Sequence, residues 1–335
     1  MIRKLAAELS AARSVLILTH LRPDGDALGS SFGLRRYLRD NGKAAEVLLP
    51  APPPERYREL CRDALGAVGS EELDAYDLIV TLDCANAERL GCGSTLTPEL
   101  LKTRHCVNID HHRSNSLAAS LGLDAADSPS FVDGDAPSTC TIVAELLLAA
   151  RGEITPECAT LLLAGMMTDT GCFCFANTNG RALRTAAEMT DRGADVEKLA
   201  NALFFNKPLR QLQMESELVR DHLRVACDGE FAYMFVPEEL TRRYDFDLKE
   251  DEGLIDIVRS VSGARIAMLC HRRPDGFRVS LRAKDHRCPV RPIARKFGGG
   301  GHDMAAGCTL EVADFGAVEA IILPEVAAAL KGKNK

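Results

Sequence analysis

Residues 14–30, SVLILTHLRPDGDALGS, place an apolar run directly before a turn that holds one histidine and two aspartates. The run SVLIL is typical of a buried strand, and the residues that follow the turn have the apolar spacing of a helix. The letters PDGD at 23–26 are typical of an ordinary turn, because Pro fixes φ, Asp bonds nearby backbone and Gly permits positive φ. They equally suit a ligand loop, because an imidazole and two carboxylates bind Mn²⁺, Fe²⁺, Zn²⁺ or, less well, Mg²⁺.

The same alternation of strand and helix patterns continues along the first half of the chain. Strands are predicted at AEVLL (45–49), YDLIVTLD (76–83) and HCVNIDHH (105–112), and helices at STCTIVAELLLAA (138–150) and CATLLLAGMMTD (158–169). This alternation predicts an α/β fold with a mainly parallel sheet flanked by helices. Ligands of such sheets bind outside the carboxyl ends of the strands. We therefore expect one site to gather His20, Asp24, Asp26, Asp83, Asp110, His111, His112 and Asp169.

Acidic residues at these positions also have ordinary explanations. Asp83 or Asp169 alone could be a helix cap, and a pair of histidines could lie in a solvated turn. Taken together, however, five carboxylates and three histidines at one edge would repel one another unless cations lay among them. Two cations roughly 3.5–4 Å apart are a common arrangement for phosphoester hydrolysis. A zinc site through Cys172 and Cys174 would lack matching partners.

Length and composition predict a two-domain protein that is not exported. A chain of 335 residues exceeds the size at which one core usually stops growing. Hydrophobic residues at 46% and charged residues at 27% are those of a globular protein. No secretory or membrane-spanning segment is apparent, so a cytoplasmic location is expected, and the 12 scattered cysteines are expected to be reduced thiols. We predict a first domain at 1–190, a helical linker at 191–221 and a smaller α/β domain at 222–330.

The second predicted domain carries an excess of positive charge. Residues 259–302 contain eleven Lys or Arg against two acids, whereas the whole chain has a net charge of −7. This contrast indicates an anionic ligand, although a solvated basic face is the usual explanation of such runs. The run Gly298–Gly301 favours the ligand, because four residues without Cβ allow backbone amides to approach a phosphate. Arg282 offers a bidentate donor and His302 a further one.

These motifs, in this order, resemble those of the DHH phosphoesterases with a DHHA1 domain. The residues that carry the resemblance are HLRPDGDALGS (20–30), Asp83 in TLDCANAERLG, DHH (110–112) and TDTGCF from Thr168. VSLRAK (279–284) and FGGGGHDMAAG (297–307) resemble the DHHA1 substrate-binding domain. Among these proteins the chain is most similar to the NrnA-like subgroup of bifunctional oligoribonucleases and phosphatases of 3′-phosphoadenosine 5′-phosphate (pAp).

The resemblance implies a role for each matching residue. His20, Asp24 and Asp83 would hold one Mn²⁺, and Asp26, Asp83, His111 and Asp169 a second, with Asp83 as the bridge. Asp110 would orient a histidine, and His112 would lie near the scissile phosphate; Asp83, Asp110 and His112 are thus the predicted catalytic residues. Arg282, Gly298, Gly299, Gly300, Gly301 and His302 would bind the nucleotide. At Ala283, where many relatives have Ser, a hydroxyl contact is absent.

The resemblance implies one or both of two hydrolytic activities. One converts short oligoribonucleotides, including linear dinucleotides, to mononucleotides, and the other converts pAp to AMP. Long nucleic acid is disfavoured, because its nonspecific binding depends on extended phosphate neutralisation, which a chain of net charge −7 does not favour. The alternatives are a pyrophosphatase-like DHH hydrolase, which would lack the GGGGH segment, and a noncatalytic nucleotide sensor, which would need a damaged ligand set. Apolar helix stripes in the first domain are explained equally well by a homodimer interface and by core packing.

Overall fold

The computed structural model describes residues 2–331 except 59, 63, 70–71, 92–95, 122–129 and 249–252. Two compact units make up the chain, Met1–Asn206 and Lys207–Lys335. The first unit contains a five-stranded sheet in the order β2-β1-β3-β4-β5, and all four pairings are parallel. Its strands are β1 Ser14–Leu18, β2 Ala44–Leu48, β3 Leu78–Leu82, β4 Cys106–Asp110 and β5 Ser130–Val132.

Helices cover the parallel sheet, as its sequence predicts. They are α1 Ile2–Ala11, α2 Gly25–Asp40, α3 Pro98–Leu101, α4 Leu117–Ser120, α5 Thr139–Ala150, α6 Pro156–Asp169, α7 Gly180–Asp191 and α8 Val196–Phe204. The central strand β3 is buried along its whole length because one face packs on the helices and the other on the core around Leu16, Leu18 and Leu73. Burial on both faces explains why the strands are nearly continuous apolar runs. The predicted α/β fold is confirmed.

The second unit contains a six-stranded sheet in the order β10-β11-β9-β8-β7-β6, in which only the β7–β8 pairing is parallel. Its strands are β6 Leu223–Ala226, β7 Phe231–Val236, β8 Ile266–Arg273, β9 Gly276–Ala283, β10 Gly300–Gly301 and β11 Ala305–Leu310. Its helices are α9 Leu209–His222, α10 Glu238–Arg243, α11 Leu254–Arg259, α12 Arg291–Lys296 and α13 Phe315–Lys331. One face of the sheet packs on α9, α10 and α11, and the other packs on α12 and α13.

The segment predicted as a helical linker contributes one helix to each unit. Leu199 and Leu203 of α8 are buried in the core of the first unit, whereas Met214 and Leu218 of α9 are buried in a core of the second. The predicted boundaries at residues 190 and 222 stay predictions.

Candidate functional site

The loop after β1 is both a helix cap and a source of candidate ligands. Asp24 is the N-cap of α2, and its Oδ1 accepts hydrogen bonds from the amides of Asp26 and Ala27, each at 3.1 Å. His20 is buried, with Nδ1 2.9 Å from the carbonyl oxygen of Leu21. The same Nδ1 lies 3.3 Å from Nη2 of Arg89, which can only donate. We assign the proton to Nδ1 on the shorter contact with the carbonyl, which can only accept, and this leaves Nε2 as the acceptor that a cation requires. This Nε2 lies 3.9 Å from Oδ1 of Asp24.

Asp83 is the carboxylate shared between two parts of the site. It follows β3 in a left-handed conformation, with φ of 54°, which is uncommon outside glycine and often found at functional sites. Its Oδ2 lies 3.7 Å from Nε2 of His20, and its Oδ1 lies 3.6 Å from Nε2 of His111. The two oxygens of one carboxylate therefore face two histidines from different strand ends.

A second group of candidate ligands contains Asp26, His111 and Asp169. Nε2 of His111 lies 3.9 Å from a carboxylate oxygen of Asp26 and 3.9 Å from one of Asp169. Asp169 is the last residue of α6, so this ligand comes from a helix end and not from a strand. Both carboxylate oxygens of Asp26 accept backbone amides at the start of α5, from Thr139 at 2.7 Å and Cys140 at 2.9 Å. The helix N-terminus thereby fixes and stabilises a carboxylate.

The charges at this edge fit a divalent cation. Burial, followed by the charge of Asp169, raises the pKa of Asp26 to about 7. Burial and the charge of Asp24 raise the pKa of Asp169 to about 7, and burial with the charge of Asp26 holds the pKa of Asp83 well above its ordinary value. Carboxylates that repel one another in this way become compatible when a cation lies between them.

The donor atoms converge closely enough to hold such a cation. His20, Asp24 and Asp83 form one group, and Asp26, His111 and Asp169 another, and within each group the donor atoms lie within 4.8 Å of one another. Asp83 with His111 and His112 forms a third group of the same kind, which overlaps the second group at His111. Among the described residues, no such group contains Cys172 or Cys174. The predicted ligands are thus brought together, and their binding of metal stays a prediction.

Asp110 contacts the ring of His112 through Nδ1. Nδ1 of His112 lies 2.7 Å from Oδ1 of Asp110, and that oxygen also accepts the amides of His111 and His112. The other side-chain oxygen of Asp110 accepts a hydrogen bond from Asn115 at 2.5 Å. Although burial opposes it, the carboxylate of Asp110 raises the pKa of His112 above its ordinary value. The ring of His111 instead has Nδ1 3.4 Å from the carbonyl oxygen of Ala136.

Two residues that the motifs did not identify hold the predicted ligands in place. The hydroxyl of Thr139 donates to Oδ1 of Asp83 at 2.9 Å, in a fully buried environment. The side-chain amide of Asn177 donates to Oδ2 and to the backbone carbonyl of Asp169, at 3.2 and 3.0 Å, and to the carbonyl of Pro137 at 2.9 Å. Ser138 is the N-cap of α5, and Thr139 is its first residue. Nothing local in the sequence marks Asn177.

The second unit presents Arg282 without a carboxylate partner among the described residues. Arg282 lies half-buried on β9, and its guanidinium donates to the carbonyl of Leu281 at 3.1 Å. Burial lowers the pKa of this guanidinium, which indicates a charge that an anion would stabilise. Ala283 lies on the opposite face of the strand, inside the core, so its methyl group does not share the face of Arg282.

The glycine run forms a helix end and a strand. The amides of Gly298 and Gly299 donate to the carbonyls of Arg295 and Ala294 in α12, at 3.2 and 2.9 Å. Gly300 and Gly301 form β10, paired with β11. The first two amides of the run thus complete the helix. His302 is exposed at the following turn, and the nucleotide-binding role of residues 298–302 stays a prediction.

Comparison with known proteins assigns the class to which this fold and site belong. The DHH family, N-terminal domain, matches residues 14–166, and the DHHA1 domain matches residues 228–329. The chain belongs to the DHH family, and it is a hydrolase of the DHH phosphoesterase class with a DHHA1 domain.

Relatives of known name cover nearly the whole chain. A bifunctional oligoribonuclease and PAP phosphatase NrnA of Thermus thermophilus is 33% identical over 90% of this chain and 85% of its own length. The protein of the same name from Bacillus subtilis is 26% identical over 92% of each chain. An exopolyphosphatase-related protein from Bacteroides fragilis superposes with a TM-score of 0.82 at 21% identity, covering 99% of this chain and 96% of its own, which shows the shared fold. No helix within the described part of the chain has the length and apolar character needed to cross a membrane.

Proposed function

We propose that this chain is an Mn²⁺-dependent phosphoesterase that hydrolyses short oligoribonucleotides, including linear dinucleotides, to mononucleotides, and pAp to AMP. The observation that carries the proposal is the position of Asp83 between two donor groups. One of its carboxylate oxygens lies within 4 Å of Nε2 of His20, and the other lies within 4 Å of Nε2 of His111, and these histidines belong to different groups. Two relatives that carry both activities in their names align with about nine-tenths of the chain.

Two cations are proposed, each held by mixed oxygen and nitrogen donors. His20, Asp24 and Asp83 would hold the first, and Asp26, Asp83, His111 and Asp169 the second. Mn²⁺ suits this donor set because it accepts imidazole and carboxylate ligands together. When bound, such a pair of cations lowers the pKa of a water molecule and neutralises charge on a phosphoryl group.

His112 and Arg282 supply the remaining chemistry in this proposal. Asp110 fixes the ring of His112 through Nδ1 and raises its pKa, so Nε2 can donate a proton to the ester oxygen that leaves phosphorus. Water adds to phosphorus and the ester P–O bond breaks, which releases a mononucleotide and a shortened oligonucleotide, or AMP and inorganic phosphate from pAp. Arg282 would bind a phosphate of the nucleotide.

Product analysis with four substrates tests the proposal. Mn²⁺-loaded protein is incubated with pAp, a 5′-phosphorylated dinucleotide (pNpN), a five-nucleotide RNA and pyrophosphate, and products are resolved over time. We expect the protein to turn over the nucleotide substrates and Asp83→Ala to turn over none of them. Asp77→Ala is the control and should keep full turnover, because it removes an exposed carboxylate just before the start of β3, the strand that Asp83 follows. Turnover of pyrophosphate alone would identify a pyrophosphatase-like hydrolase, and binding without turnover would identify a sensor. The homodimer and the cytoplasmic location stay predictions.

A further inference from the structure

Hydrogen-bonded polar side chains connect the core of the first unit to Asp110. The connection begins inside the sheet, where Thr81 of β3 and Asn108 of β4 are neighbours in the parallel register and both are fully buried. The hydroxyl of Thr81 donates to Oδ1 of Asn108 at 3.0 Å. Nδ2 of Asn108 donates to Oδ1 of Asn115 at 3.3 Å, and Nδ2 of Asn115 donates to Oδ2 of Asp110 at 2.5 Å. We call Thr81, Asn108 and Asn115 the polar network.

The polar network crosses a part of the sheet that is otherwise apolar and buried. Burying the amide of Asn108 there costs free energy unless hydrogen bonds compensate for the lost water. Both ends of this amide are satisfied, because its oxygen accepts from Thr81 and its nitrogen donates to Asn115 and, at 3.3 Å, to Oγ of Ser130. A buried network whose members are all satisfied makes the groups that it joins rigid. The group at the outer end of this network is Asp110.

Backbone groups determine which end of the Asn115 amide faces Asp110. Oδ1 of Asn115 accepts the amide of Leu117 at 3.0 Å, and Nδ2 donates to the carbonyl of Cys84 at 3.0 Å. A backbone amide can only donate and a carbonyl can only accept, so rotating the side-chain amide by 180° would lose both contacts. The nitrogen of Asn115 therefore faces Oδ2 of Asp110. With the contact from Asn108, the full hydrogen-bonding capacity of this amide is used.

Asp110 is consequently held at both of its carboxylate oxygens. Oδ2 accepts from Asn115, while Oδ1 accepts the backbone amides of His111 and His112 and lies 2.7 Å from Nδ1 of His112. Without the donor of Asn115, Oδ2 of this fully buried carboxylate would lose a hydrogen bond, and rotation about its Cβ–Cγ bond would be less restricted. The orientation of the His112 ring thus depends on Asn115 through Asp110.

We propose that Asn115 is a positioning residue of the hydrolysis, which holds Asp110 so that Asp110 keeps the ring of His112 directed at the departing ester oxygen. This inference rests on the proposed function, in which Nε2 of His112 donates a proton to that oxygen. The contribution of Asn115 is therefore specific to substrates whose leaving group needs a proton. A ribose hydroxyl is a weak acid, so its oxygen needs the proton as the P–O bond breaks, whereas p-nitrophenolate leaves without one.

The first test compares two leaving groups in Asn115→Asp. The substitution keeps the shape of the side chain and the oxygen that accepts the amide of Leu117, but it places a second oxygen against Oδ2 of Asp110. We expect kcat for pNpN to fall about ten-fold or more, since general acid catalysis contributes about 10²–10⁴-fold. By the same principle, kcat for the p-nitrophenyl ester of a nucleoside 5′-phosphate should change less than about three-fold.

Asn86→Asp is the matched control for the added charge. Asn86 lies in the loop after β3, and its Oδ1 accepts the amide of Arg89 at 3.0 Å, a contact that the substitution keeps. The control should therefore lower kcat for neither substrate. Asn115→Ser is the second variant if Asn115→Asp folds poorly in thermal unfolding, because serine keeps a capping oxygen but lacks the amide that donates to Asp110.

A double-mutant cycle with His112→Gln shows whether Asn115 acts through His112. If it does, Asn115→Asp lowers kcat for pNpN in the wild type but causes no further loss in His112→Gln. Three results would overturn the inference. They are an equal loss of kcat for both leaving groups, a loss that adds in full to that of His112→Gln, and an equal loss in Asn86→Asp.

Nuclear magnetic resonance of the metal-free protein gives a measurement that does not depend on turnover. The Nδ1 proton of His112, identified by its absence in His112→Gln, should be observed in wild type and in Asn86→Asp and be shifted or lost in Asn115→Asp. A resonance that depends on Asn115 in a protein that turns over no nucleotide would support the positioning and refute the proposed function. Turnover of pNpN that Asn115→Asp leaves unchanged would refute the inference alone, so the two failures are distinguishable.

Discussion

Replacing Thr139 with valine tests whether the start of α5 sets the geometry of the donor groups. Valine keeps the size and branching of threonine, so the change removes one hydroxyl from a fully buried position. That hydroxyl donates at 2.9 Å to Oδ1 of Asp83, the oxygen that faces His111. The amide of Thr139, which donates to Asp26, is unaffected by the substitution.

The magnitude follows from the charge that the hydroxyl contacts in each state. Without a cation, burial and the charge of Asp26 hold the pKa of Asp83 well above its ordinary value, which favours the neutral carboxyl. A bound cation favours the carboxylate, and a hydrogen bond to a charged group contributes about 1.5–3 kcal/mol. The substitution therefore destabilises the metal-bound state more than the metal-free state. Because the hydrogen bond to the neutral carboxyl contributes about 0.5–1.5 kcal/mol, the two states differ by about 1–1.5 kcal/mol. At 1.4 kcal/mol per factor of ten, affinity for Mn²⁺ falls about 5–12-fold.

Calorimetric titration with Mn²⁺ measures this loss, and thermal unfolding without metal checks the fold. Thr141→Val is the control, because Thr141 is equally buried two residues further along α5 and its hydroxyl contacts Ser138, not a predicted ligand. Thr139→Ser restores the hydroxyl and should restore most of the affinity. Unchanged affinity in Thr139→Val, or an equal loss in Thr141→Val, would refute the reasoning.

Three further predictions follow from particular side chains. Arg282→Ala should raise KM for nucleotides with little change in kcat; a rise no larger than that of the exposed Arg242→Ala would contradict a binding role. Gly299→Ala should lower the free energy of unfolding by about 1–3 kcal/mol in chemical denaturation, because a Cβ at residue 299 would lie 2.2 Å from the carbonyl oxygen of Gly307. Gly300→Ala is the control: a Cβ at residue 300 meets open space, so this variant should unfold like wild type. The pKa of Asp169 is raised to about 7, so the metal-free folded protein binds a proton at this carboxylate more tightly than the unfolded chain does. The free energy of unfolding of the wild type, relative to that of Asp169→Asn, should therefore fall as pH rises from about 4 to 7. A difference between the two proteins that does not change with pH would contradict this prediction.

The parallel sheet was predictable because its strands are short apolar runs between helix-forming segments. The predicted strand AEVLL, for example, is β2 displaced by one residue, and YDLIVTLD contains β3. Burial on both faces requires an apolar residue at nearly every position, and this requirement is visible in one-dimensional sequence. The convergence of Asp24, Asp83 and Asp110 followed from the same rule, since parallel strands end at one edge.

Contacts between distant segments could not be predicted from local patterns. Thr139 and Asp83 are 56 residues apart, and the contact depends on where α5 begins relative to the end of β3. The local structure of the glycine run could not be predicted for a similar reason: its first two amides complete α12, and β11 approaches Gly299 closely. The sequence showed that the residues lack Cβ, but not which neighbour required it.

The loop at 23–26 shows that the two interpretations of its sequence are not exclusive. Oδ1 of Asp24 caps α2 by accepting two amides, and the same oxygen lies 3.9 Å from Nε2 of His20. The other carboxylate oxygen, Oδ2, keeps its lone pairs after Oδ1 has made the cap, so capping and ligation can coexist. The cap also limits rotation of the side chain, which prepares it for a cation before one arrives. The turn-forming residues that made the stretch look ordinary are thus the means by which a candidate ligand is oriented.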